Sequence, residues 1–70
     1  MTGYAILIED AGGNLSAYVP DLPGCVSTGT SVEDVTANMR GAIALHIASL
    51  REHGEEEPPA TSRASTVQVA

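Results

Sequence analysis

The stretch "YVPDLPGCVSTGTS", from Tyr18 to Ser31, decides how this chain folds. Pro20 and Pro23 have no N–H to give to a ladder, so neither belongs inside a central strand, and Gly24 permits a sharp bend. The segment therefore reads as a corner. Cys25 marks the point where the chain re-enters a sheet as "CVSTG". Upstream, "YAILIE" (Tyr4 to Glu9) is rich in β-branched and aromatic residues and too short for a helix, which predicts a strand. "DAGGN" is a turn signal. In "LSAYV", Leu15, Ala17 and Val19 alternate with Ser16 and Tyr18, the period of a half-buried strand. The spacing predicts an antiparallel hairpin and then a third short strand, over residues of about 4–9, 15–19 and 25–28.

A helix follows, predicted over about residues 32–53. Ser31 is a good N-cap, and Glu33 and Asp34 place negative charge in the first turn, with Asp34 at the capping-box position. Val32, Val35, Met39, Ile43, His46 and Leu50 recur at steps of three or four on one face. Gly54 is a natural residue to follow the last turn. "EEEPP" reads as an exposed linker within 54–59, and "STVQV" alone has strand character after it. Residues 1–59 thus form the expected core, and 60–70 a last strand beside the first or a partly disordered tail. The fold class is α+β. The order is β-β-β-α-β, a small, mostly antiparallel sheet with one helix packed on one face.

Seventy residues make one small domain. Chains of this length bury roughly 60% of their unfolded surface and are stable by only a few kcal/mol. One cysteine cannot close an internal disulfide, and no signal peptide or membrane span is evident, so a soluble cytoplasmic protein is expected. Ile6 and Ile8 face one side of the hairpin, Ala5 and Leu7 the other, and Leu45 lies off the helix stripe. One helix covers only one face, so these groups predict a homodimer or homotetramer.

Nine acidic residues stand against three arginines, with no lysine. Nucleic-acid affinity rests on several cationic contacts to phosphate, so direct nucleic-acid binding is not expected. An acidic surface favours a basic partner. Cys25 with His46 or His53 would be the obvious nucleophile and base. A reactive thiol, however, needs a depressed pKa and partial exposure, and His46 falls within the apolar stripe. The two histidines lie roughly 10.5 Å apart along a helix axis, too far to share one zinc ion. No catalytic residue, cofactor site or metal site is expected.

From Tyr4 through "LREHGEEEPP" the chain resembles the HicB family of bacterial antitoxins, and "YVPDLPGCVSTGTS" carries the most distinctive part of the likeness. The resemblance covers about residues 3–59 and points to the short, single-domain HicB-like form. It implies a partial ribonuclease-H-like fold lacking that fold's metal-binding carboxylates. It also implies a partner, a HicA-type toxin: a small basic RNA-cleaving protein neutralised by direct binding. Longer members add a DNA-binding domain, and none is expected here. The corner is expected to present Tyr18, Asp21 and Leu22 to the partner. The alternative is a solitary HicB-like oligomer with a structural or ligand-binding role and no toxin.

Overall fold

The computed structural model describes residues 3–70. Three strands, β1 (Leu7–Asp10), β2 (Leu15–Tyr18) and β3 (Val26–Gly29), form an antiparallel sheet in the order β1-β2-β3, and one helix, α1 (Val32–Glu52), follows. β1 starts three residues later than the hydrophobic run suggests. The register pairs Leu7 with Tyr18, so continuing it would set Ile6 against Val19 and Ala5 against Pro20. Val19 bonds on the β3 side, its N–H donating to the carbonyl of Cys25 at 3.2 Å, and the next residue whose N–H would face β1 is Pro20, which has none to give. The ladder therefore ends at Leu7.

The corner consists of two consecutive turns, each with proline at its second position. Leu22 N–H donates to Val19 O at 3.1 Å, and Cys25 N–H donates to Leu22 O at 3.1 Å. Pro20 and Pro23 occupy positions whose N–H no turn uses, and Gly24 supplies the positive φ (83°) that a type II turn needs at its third position. Leu22 falls between the two turns and is 0% exposed. It joins Ala17, Val19, Cys25, Val35 and Met39 in the core, with Ile6, Ile8 and Ile43 packed around them. Burial of each large apolar side chain contributes about 1.5–3 kcal/mol.

The helix is capped at both ends. Ser31 Oγ accepts from Asp34 N–H at 3.0 Å, and the Asp34 carboxylate reaches back to the N–H of Thr30 at 2.8 Å, one residue before the usual box partner. At the other end, Glu55 N–H donates to Leu50 O at 2.9 Å and Gly54 N–H to Arg51 O at 3.1 Å, a Schellman closure with Gly54 at φ 69°. Val35 and Met39 face the core, whereas Val32, expected on the same stripe, is 60% exposed. The helix packs chiefly on β3 and β2. Its length of about 31 Å exceeds that of four-residue strands, about 13 Å, so its C-terminal half overhangs the sheet. His46, Ile47 and Leu50 are consequently half-covered, and Leu45 is largely exposed.

The last strand expected after the helix does not form within the single chain; residues 60–70 carry no strand. The segment is led elsewhere. Arg51 pairs with Glu57 at 3.1 Å, Tyr4 donates its hydroxyl proton to the carbonyl of Pro58, and Thr61 and Ser62 bind Asp21. Tyr4 precedes β1 and Asp21 follows β2, so both stand at the same end of this antiparallel pair. The chain thus crosses the end of the β1–β2 pair and leaves the outer edge of β1 behind. The acidic linker is exposed at Glu55, Glu56 and Glu57, as expected, and is tied down at Glu57 and at the half-buried Pro58.

Candidate partner-binding surface

One face of the sheet lies under the helix and the other is open. On the open face the registers align Leu7, Tyr18 and Val26 in one cross-strand row, since Leu7 pairs with Tyr18 and Tyr18 with Val26. These residues are 37%, 39% and 62% exposed. The next row on the same face is polar, Glu9, Ser16 and Thr28. An apolar bar bordered by polar residues, spanning all three strands, has the composition of a docking surface.

The corner residues fare differently from one another. Tyr18 stands on the open face, at the centre of the apolar row. Leu22 does not form an exposed rim, because the double turn drives its side chain into the core. Asp21 is half-exposed, but its carboxylate is engaged: Thr61 donates from N–H and Oγ1, each at 3.0 Å, and Ser62 from N–H at 3.0 Å and Oγ at 2.8 Å. These donors, those of Ser62 foremost, hold the Asp21 carboxyl below its usual range. Tyr4 shifts the other way: partial desolvation raises its phenol, helped by Glu57 and Asp21, and keeps it a donor towards Pro58. Leu7, Val26, Tyr4, Thr61 and Ser62 were not legible as site residues. The first two depend on strand register, and the last three meet partners tens of residues away in sequence.

The chain matches, over residues 4–69, the family described as HicB-like antitoxin of bacterial toxin–antitoxin systems. It belongs to that family. Among curated relatives, this HicB-like chain is 34% identical over 64 residues to a UPF0150 protein of Thermoplasma acidophilum, covering 91% of this chain and 93% of that one. It is 38% identical over 55 residues to an uncharacterised 14.9 kDa protein from the rep-hol intergenic region of Haemophilus phage HP1. That match takes in 79% of this chain but only 41% of the phage protein. No solved structure matches the chain significantly.

The residues weighed for chemistry have structural places in this HicB-like fold. Cys25 is 4% exposed, and burial pushes its thiol pKa up, the opposite of what a nucleophile needs. His53 caps α1, its Nδ1 lying 2.7 Å from Ser49 O. His46 is half-buried on the helix. No helix among the described residues is long and apolar enough to cross a membrane.

Proposed function

We propose that this HicB-like protein acts by binding, as the antitoxin that neutralises a small basic HicA-type RNA-cleaving toxin in the cytoplasm. The apolar row Leu7–Tyr18–Val26 on an otherwise acidic chain is the observation that carries this reading. An apolar centre supplies most of the affinity, with an aromatic as its natural anchor. Net charge of −6 draws a basic partner and speeds encounter. Tyr18 is the anchor in this reading, Leu22 holds the corner beside it in the core, and Asp21 fixes the neighbouring tail. Self-association into a dimer or tetramer accompanies toxin binding, and neither cofactor chemistry nor direct contact with nucleic acid is part of the role.

The test is to find whether a small basic protein is encoded beside this one and to co-express the two, reading growth and RNA integrity. The wild-type chain restores growth and copurifies with its neighbour, and Tyr18→Asp does neither while keeping its circular dichroism spectrum. Rescue by Tyr18→Asp equal to wild type removes the open face from the mechanism. A neighbour that is neither toxic nor bound removes the antitoxin role and leaves the solitary oligomer.

A further inference from the structure

Two elements of the chain are incomplete alone. β1 is an edge strand, hydrogen-bonded to β2 on one side only. Residues Ser65 to Val69, "STVQV", alternate like a strand, yet Val67 and Val69 stand 84% and 89% exposed. The chain as a whole shows the same deficit. It exposes 5268 Å² of surface, where a compact monomer of 7.2 kDa would expose about 4,100 Å². Its radius of gyration is 13.3 Å, against about 11 Å for a compact domain of this length. The excess of about 1,100 Å² is of the order that each partner of a standard interface buries.

The two elements cannot meet within one chain without undoing contacts that are present. The four hydrogen bonds from Thr61 and Ser62 to Asp21 carry the tail across the end of the sheet, away from its own β1 edge. Returning would need a reversal after Ser62, and residues 63–70 make no turn. Eight extended residues beyond Ser62 reach about 26 Å, enough to lie along the edge of a neighbouring molecule.

We propose that residues 63–69 add as an antiparallel strand to the free edge of β1 in a second copy of this chain, reciprocally, so that the dimer closes. In the register that sets Val67 beside Ile6, Val69 falls beside Tyr4, on the face that looks toward the helix. A groove is open there, because α1 sits over β2 and β3; Tyr4, Ile6, Met39 and Ile43 line it, with Arg40 at its rim. The two valines fill it. The same register sets Arg63 beside Asp10. Charge agrees with the pairing: every acidic residue of the chain precedes Pro58, and the tail carries Arg63 and no acid. Two-fold exchange leaves no strand edge free to propagate at β1, which is how an edge of this kind is kept from open-ended pairing.

This inference specifies the self-association included in the functional reading, and the test separates the two. Sedimentation at micromolar concentration gives a dimer or larger assembly for the wild-type chain. It gives a monomer with an unchanged helical spectrum for Val67→Asp/Val69→Asp, whose sites are exposed in the single chain. Differently tagged Ile6→Cys and Val67→Cys chains, mixed and mildly oxidised, yield a disulfide-linked heterodimer, with the wild-type chain and its buried Cys25 as blank. A monomeric wild-type chain overturns self-association and the exchange with it. An oligomer that survives the double aspartate variant, or mixed single-cysteine chains that form no disulfide-linked heterodimer, overturns the exchange alone.

Discussion

Gly29 is the closest approach of sheet to helix, and replacing it by alanine isolates one steric quantity. Gly29 ends β3 on the helix-facing side, paired with Leu15, and is buried although it has no side chain. A Cβ there would lie 2.5 Å from Val35 N, 2.7 Å from Val35 Cα and 2.9 Å from Val35 Cβ. Two of these atoms are helix backbone, so no rotamer change relieves the contact. Restoring ordinary separation moves the first helical turn off β3 by about 0.9 Å. That turn is tied down by the Ser31 cap and by Asn38, whose Nδ2 donates to Thr28 O at 2.8 Å. Overpacking of this kind costs about 1–3 kcal/mol, and loosening the cap adds about 1 kcal/mol. Urea unfolding should therefore place Gly29→Ala about 2–4 kcal/mol below wild type, most of what a domain this small has. Gly41→Ala is the control. Gly41 lies inside α1 with open space around it, and alanine there should stabilise by about 1 kcal/mol. A Gly29→Ala variant within 0.5 kcal/mol of wild type would refute the reasoning, because the contact would then relax at no cost.

Leu22→Ala should lose about 2–5 kcal/mol and populate unfolded chain without denaturant, measured by urea titration; near-normal stability with weakened partner binding would return Leu22 to the surface. Gly24→Ala meets no neighbour but must hold φ 83°, costing about 1–2 kcal/mol by the same assay. The depressed Asp21 carboxyl contributes stability above the ordinary carboxylate range, which is lost as pH falls through its folded value. Protection of the Thr61 and Ser62 amides, measured against their intrinsic exchange rates at each pH, should thus fall selectively in acid, and Asp21→Asn should abolish that pH dependence. Cys25, its thiol pKa raised by burial, should react with a thiol reagent only as fast as the domain opens. Above the ordinary thiol range, unfolding becomes easier as pH rises, since only the unfolded thiol ionises readily.

The fold was legible where chemistry is local. Prolines, glycine and alternation marked the corner and all three strands, and Ser31, Asp34 and Gly54 marked both helix ends within a residue. The start of β1 was not legible in its own residues, because it depends on Pro20, with no N–H, falling opposite Ala5 when the register is continued. Leu22 was misread for a related reason: a hydrophobic residue between two turns looks exposed until both turns close over the core. The tail was the least legible part. "STVQV" has strand chemistry, but the carboxylate that sets its path belongs to Asp21, 40 residues earlier than Thr61. On the site, periodicity put Tyr18 on the face opposite the core, while its neighbours Leu7 and Val26 followed only from register.

The proposed neutralisation is tested most directly by titrating this protein into a fixed amount of a purified HicA-type toxin and following cleavage of a labelled RNA. Cleavage should fall linearly to a sharp end point at a fixed molar ratio, and the end point should hold when RNA is raised tenfold. Tyr18→Asp should leave cleavage undiminished at the same ratio. Full cleavage in the presence of excess wild-type protein, or protection that disappears as RNA is added, would contradict neutralisation by direct binding.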